Sequence, residues 1–309
     1  MQIITGGKTY SDIDTYAGVI AYAELLNLQH IPAKAISTAE PNSSVNPIVR
    51  SWGSTIETSY TPALHDQFTL IDVSEPEFFD TIVKHSQIKE IIDHHMDFKV
   101  MWEAKLGDKA QIEFVGAACT LVYERWAQAG LVANMQPTTA GLLMCGILDN
   151  TLNFGAVITT DRDHKAYKAL AAIAGLPDDW PAQYFTDCQQ AVMQDIPMAI
   201  KDDRKTVRYP GQSDPAYVGQ VALWDAADLL TKLDDVRQGF AGLNPWYMNI
   251  ISLKDGKSYL YCEDHQTQLW LEATLSVSFT DTIATANRMW LRKEIMKQAM
   301  EAGRSHENN

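Results

Sequence analysis

Apolar residues in the first half of the chain fall into short runs separated by stretches of three-to-four-residue spacing. Residues 1–5 (MQIIT), 33–36 (AKAI), 68–73 (FTLIDV) and 90–92 (EII) read as strands. The third is a near-continuous apolar run, the pattern of a strand buried on both faces. Residues 14–28, 75–85, 120–129 and 138–148 carry helical spacing. Strands alternating with helices predict an α/β fold: a parallel sheet with helices on both faces. In such sheets ligands bind beyond the carboxyl ends of the strands.

The pattern changes after residue 181. Residues 182–196 predict a connecting helix that Pro197 ends, followed by strands at 206–209, 217–223, 246–253 and 257–262. Asp255-Gly256 marks a hairpin turn, and a last long helix is expected over 282–302. A chain of 309 residues suits two domains. The expected division is a first domain over 1–190, a linker helix over 183–199 and a smaller α/β domain with a mixed sheet over 200–309, with the active site in the cleft between.

Composition narrows the function. With 46% apolar and 21% charged residues the chain is not disordered. Its net charge of −14 opposes general nucleic-acid binding. No apolar run reaches the ~18–20 residues that span a bilayer, and the N-terminus carries no secretory signal pattern. Cys119, Cys145, Cys188 and Cys262 are far apart with no CxxC pair, which fits reduced thiols in a cytoplasmic protein rather than a disulfide scaffold or zinc ribbon.

Carboxylates and imidazoles recur where apolar runs stop: Asp12 and Asp14, Asp72, Asp93-His94-His95, and Asp149. One Asp after a strand is commonly a helix cap, and a lone His is usually only hydrogen-bonded. Recurrence at several strand ends points instead to a shared site, because so much converging negative charge needs a cation. Asp and His without Cys suit Mn²⁺ or Mg²⁺, one or two ions.

The segment EIIDHH resembles the signature of the DHH phosphoesterase superfamily. SDIDTYAGVIAYA (11–23), TLIDV (69–73), GAACTLVYE (116–124) and LLMCGILDNTLNF (142–154) are similar to its other motifs, in the same order. A Gly-Gly-Gly-His motif, which marks one branch, is absent. MWLRKEI (289–295) and Asp203-Arg204-Lys205 resemble the second-domain elements of the other branch, which holds family II pyrophosphatases, exopolyphosphatases and Prune-like proteins. The resemblance implies a hydrolase of phosphoanhydrides that works through metal-activated hydroxide.

It also implies roles. Asp72 would bridge two ions, Asp12 would help hold one, and Asp14, His94 and Asp149 the other. His95 would contact substrate, and Asp93 would orient a histidine. Lys205, Arg292 and Lys293 would bind the phosphates of a small anionic substrate. Two departures stand out: Lys8 replaces a metal-ligating His of the pyrophosphatases, and Leu291-Arg292-Lys293-Glu294 departs from their Ser-Arg-Lys-Lys. Both favour an exopolyphosphatase-like enzyme over a pyrophosphatase, a nucleotide or monoester phosphatase is a weaker alternative, and Lys8 would sit near a metal or the substrate. The rival is a catalytically weak phosphate-binding protein; a homodimer is compatible with either. Gly6-Gly7-Lys8-Thr9 lacks the first glycine of a P-loop, and Cys119 and Cys145 sit in apolar surroundings with no adjacent base.

Overall fold

The apolar runs of the first half become neighbouring strands of one sheet. In the computed structural model, which describes residues 1–209 and 216–307, the chain divides into two units, Met1–Pro181 and Ala182 onward. The first unit holds β1 (Gln2–Thr5), α1 (Ile13–Leu28), β2 (Ala33–Ala35), α2 (Pro47–Arg50), β3 (Gln67–Ile71), β4 (Ile88–Asp93), α3 (Lys99–Leu106), β5 (Ala110–Ile112), α4 (Ala118–Gln128), α5 (Pro137–Thr151) and α6 (Asp161–Ala174). Every strand pair is parallel, in the order β2-β1-β3-β4-β5.

The chain leaves β1 toward β2 on one side, while β3 lies on the other. That reversal is a topological switch point, where strand ends open a crevice. The acidic residues after β1 and β3 therefore emerge side by side. Beneath them Ile3, Phe68, Leu70, Ile91, Trp102 and Ile112 form a continuous core on one face. On the other, α1 is buried from Ile13 through Ala23, its alanines and Gly18 permitting close approach of its neighbours.

Residues 75–85 do not form the expected helix. Pro76–Phe78 and His85–Gln87 are single 3₁₀ turns, and the chain between them is pulled away from helical pairing. Phe79 bridges to Gly7, and the buried Asp80 carboxylate accepts from Thr5 Oγ1, Thr38 N, Thr38 Oγ1 and Ile82 N. Thr5 and Thr38 lie far away in sequence, so local spacing does not reveal them.

The second unit contains most of α7 (Trp180–Gln194), then α8 (Ile196–Asp203), β6 (Lys205–Val207), β7 (Ala216–Leu223), α9 (Ala227–Leu230), α10 (Leu233–Gln238), β8 (Trp246–Ser252), β9 (Lys257–Tyr261), α11 (His265–Leu275), β10 (Phe279–Thr280), β11 (Ile283–Ala286) and α12 (Arg292–Glu307). Asp195 caps α8 by accepting from Met198 N, and Pro197 sits in the first turn of α8, where its missing N–H costs nothing.

The six strands run β10-β11-β9-β8-β7-β6, with β7 and β8 parallel and the remaining pairs antiparallel. This is the mixed sheet the sequence predicts, and Asp255-Gly256 turns the β8–β9 hairpin. Alternate side chains feed two cores, one around Val221, Met248 and Ile250 and one around Val218, Tyr247 and Leu260. The helix expected over 282–302 is shorter. Ile283–Ala286 is a strand paired with β9, as its β-branched Ile283 and Thr285 favour, and the helix begins at Arg292. Among the described residues no helix is long and apolar enough to cross a membrane.

Candidate metal centre

Three ligand-type side chains meet at the carboxyl ends of β3 and β4: Asp72, His94 and His95 each offer one ligand atom, and these lie within 4.8 Å of one another. Asp72 follows β3 in a left-handed conformation (φ 60°), strained for most residues but accessible to Asp. Its N–H still donates to Ile92 O at 2.9 Å, which anchors the turn to β4. Thr15 Oγ1 donates to its Oδ2 at 2.8 Å. Oδ1 is buried and accepts no hydrogen bond, although His94 Nε2 lies 3.2 Å away and His95 Nδ1 3.7 Å away.

An orphaned carboxylate oxygen beside two imidazoles is costly when left unsatisfied. The His94 ring explains what the arrangement suits. Its Nδ1 lies 3.2 Å from Val115 O, an acceptor-only group, so in the neutral ring Nδ1 carries the proton and Nε2 can present a lone pair. That lone pair faces Asp72 Oδ1 and, at 3.8 Å, Asp14 Oδ2. Two carboxylates and an imidazole nitrogen turned toward one volume fit a divalent cation, and this O,N donor set fits Mn²⁺ or Mg²⁺.

Asp14 is fully buried at the start of α1 and is held by a different element. Its two oxygens accept from Ala118 N at 2.8 Å and Cys119 N at 2.7 Å, the first amides of α4, where the helix dipole favours an anion. Burial, and then the charges of Asp72 and Asp12, push its carboxyl well above the usual range. Asp72 and Asp93 behave oppositely. Burial opposes their ionisation too, yet the neighbouring histidines outweigh it and hold both carboxyls below the ordinary value.

Asp93, at the end of β4, has no exposed surface. Its Oδ1 accepts from His94 N at 2.7 Å and His95 N at 3.1 Å, and stands 2.8 Å from His95 Nδ1. One carboxylate thus sets the backbone after β4 and the plane of the His95 ring, which remains 41% exposed.

The other expected site residues lie outside this group of three. Asp12 caps α1, accepting from Thr15 N at 3.0 Å. Lys8 is exposed, its N–H donating to Phe78 O. Asp149 lies in the last turn of α5 and is not in the Asp72–His94–His95 group. It stands one turn beyond Cys145, whose thiol is pushed up to about 12 by burial and then by the Asp149 charge. Asn150 instead stands one turn beyond Gly146, the residue that packs on Asp14.

In the second unit Arg292 is buried, its Nη1 donating to Asp203 O and Oδ2 and to Val218 O at 3.0–3.1 Å. Lys205 is exposed and Lys293 half-buried. Sequence reading passed over Asp163, which organises the segment behind His94. Its available signal was a capping box, Thr160-x-x-Asp163.

Residues 2–147 match the DHH family, N-terminal domain. Over 305 residues the chain is 24% identical to a Bacillus licheniformis protein named "Probable manganese-dependent inorganic pyrophosphatase", covering 95% of this chain and 96% of that one. For several further bacterial proteins of that name the aligned part spans about half of their length. Among solved structures, a Methanococcus jannaschii protein assigned as a family II inorganic pyrophosphatase superposes with TM-score 0.74 at 20% identity, over 97% of this chain and all of that one. An exopolyphosphatase-related protein from Bacteroides fragilis gives 0.51 at 12% identity, over 99% and 92%. Both likenesses concern the fold.

Proposed function

We propose, from the match of residues 2–147 to the DHH family, N-terminal domain, that this chain is a metal-dependent hydrolase of phosphoanhydrides. The observation that carries this reading is the buried, unbonded Asp72 Oδ1 facing His94 and His95. Asp72, His94 and Asp14 would hold Mn²⁺ or Mg²⁺, with Asp12, whose charge reaches Asp14, beside them. When bound, the cation supplies charge compensation for the phosphoryl oxygens and activates water.

The protein's own groups divide the remaining work. Asp93 orients His95, whose partly exposed ring is placed to meet a substrate oxygen or the leaving group. Val115 O and the α4 amides keep His94 and Asp14 turned inward, so little reorganisation is needed on binding. Lys205 and Lys293 are suited to contact phosphate, and Lys8 adds positive charge after β1. Arg292 is committed to Asp203 through Nη1 and braces the start of α12.

Short or linear polyphosphate is the substrate class this reading favours, because Lys8 and Glu294 depart from the pyrophosphatase pattern. Pyrophosphate is the second reading, supported by the names of the relatives. The buried free thiols suit a cytoplasmic location.

The test is phosphate release with Mn²⁺ from pyrophosphate, tripolyphosphate and long polyphosphate in parallel, for the wild type and Asp72→Asn. Asn is chosen because it tolerates the left-handed backbone. Release that a chelator abolishes and Asp72→Asn lacks is the expected result. No release from any of the three by Mn²⁺-loaded protein sinks the enzyme reading and leaves the phosphate-binding one.

A further inference from the structure

The segment joining β5 to α4 supplies three of the groups that orient the candidate ligands. Val115 O faces His94 Nδ1, and the amides of Ala118 and Cys119 hold Asp14. The segment makes no side-chain cap of its own at the start of α4, so its path is fixed from outside. The fastening comes from α6.

Asp163 has no exposed surface. Its Oδ2 accepts from Gly116 N at 2.9 Å, Thr160 N at 2.8 Å and Thr160 Oγ1 at 2.7 Å, and its Oδ1 accepts from Thr120 Oγ1 at 2.6 Å. The Thr160 contacts cap α6, whereas those to Gly116 and Thr120 reach across to the segment behind the site. The adjoining Arg162 clamps the same stretch: Nε and Nη2 donate to Glu124 and Nη1 to Glu113 Oε2 at 2.7 Å. Gly116 allows this approach. A Cβ there would meet Thr151 Cγ2 at 2.5 Å and Asp163 Oδ2 at 2.9 Å.

We propose that Asp163 is a positioning residue for the metal centre, fixing the 115–119 segment so that Val115 O and the α4 amides hold His94 and Asp14 ready to bind the ion. The inference rests on the metal-centre reading. Asp163 acts through Gly116 and Thr120 and touches neither ligand, and it lies beyond the DHH-matched residues.

The experiment titrates the metal-free full chain with Mn²⁺, following free ion by electron paramagnetic resonance, and records ¹⁵N spectra of His94 before metal is added. Asp163→Asn keeps an acceptor for Gly116 and Thr160, while the Thr120 hydroxyl can turn to accept, so its affinity stays near wild type. Asp163→Ala weakens Mn²⁺ binding by about 10–100-fold, the usual effect of losing a group that orients ligands, and its His94 shifts from the Nδ1–H tautomer toward a mixture.

A folded Asp163→Ala protein with wild-type Mn²⁺ affinity and an unchanged His94 tautomer overturns the proposal. Should Asp163→Ala not fold, Thr120→Val carries the test, since it removes only the Oδ1 contact: weaker binding supports the proposal and unchanged binding overturns it. A wild type that binds no Mn²⁺ removes the metal-centre reading itself, an outcome distinct from wild type and variants binding alike.

Discussion

Gly146 on α5 lies where helix propensity and packing demand opposite things. Replacing a mid-helix glycine by alanine ordinarily gains about 1 kcal/mol. Here the added Cβ would stand 2.4 Å from Cys119 Sγ and 3.2 Å from both Asp14 Cα and Cys119 Cβ. The first distance is more than about 1 Å inside the ~3.5–4.0 Å optimum for non-bonded heavy atoms. Overpacking of this kind costs about 1–3 kcal/mol, and neither backbone nor the fully buried thiol can retreat. Gly146→Ala is therefore expected to lose about 1–2 kcal/mol despite its propensity. Cys119→Ala alone costs about 1 kcal/mol for the lost sulfur. The double variant should cost little more than Cys119→Ala, because the new methyl occupies the space the sulfur leaves. That gives a coupling of about 1–2 kcal/mol in the cycle. Urea unfolding of the four proteins, followed by far-UV circular dichroism, measures it. A Gly146→Ala protein as stable as wild type, or additivity in the cycle, would refute the reasoning.

Other consequences follow from single contacts. Arg292→Ala breaks a buried pair with Asp203 and should cost about 3–5 kcal/mol, whereas Lys205→Ala and Lys293→Ala should stay within about 0.5 kcal/mol; thermal melts separate bracing from phosphate contact, and an Arg292→Ala protein with wild-type stability would contradict the bracing role. Mn²⁺ at a hundredfold excess over its Kd should stabilise the first unit by about 2.7 kcal/mol, and Asp72→Asn should show no such gain in a calorimetric scan with and without chelator. Burial pushes the Cys145 and Cys262 thiols up to about 12, so thiolate forms only in strong alkali. Ellman's reagent should find no fast-reacting thiol at neutral pH and four after denaturation; rapid labelling of the native protein would be inconsistent with the packing.

What the sequence revealed follows the range of the interactions involved. The strands that end in Asp72 and Asp93 were legible because two-sided burial writes itself as an apolar run, and the carboxylates stand where that run stops. The Asp255-Gly256 turn is equally local. The helix expected over 75–85 failed because Asp80 bonds to Thr5 and Thr38, partners invisible to periodicity. The strand at Ile283–Ala286 was hidden for the same reason, since only its pairing with β9 distinguishes it from helix. β5 escaped notice as a three-residue strand with a polar centre, Gln111. At the site, the gathering of Asp72, His94 and His95 depends on adjacent strands. The function of Asp163 depends on a contact with Gly116 that spans 47 positions.

The left-handed backbone at Asp72 also shapes how this protein can diverge. A position with positive φ admits Asp, Asn and Gly far more readily than branched or bulky residues. Most replacements there are removed from a lineage by misfolding, whatever they do to chemistry. Asn is different: it keeps the turn, the Thr15 contact and the strand pairing while erasing the negative charge. On the role proposed for Asp72, one conservative substitution would separate a hydrolase from a silent descendant with the same fold, so the residue at this turn is the first to compare when sorting active relatives from inactive ones.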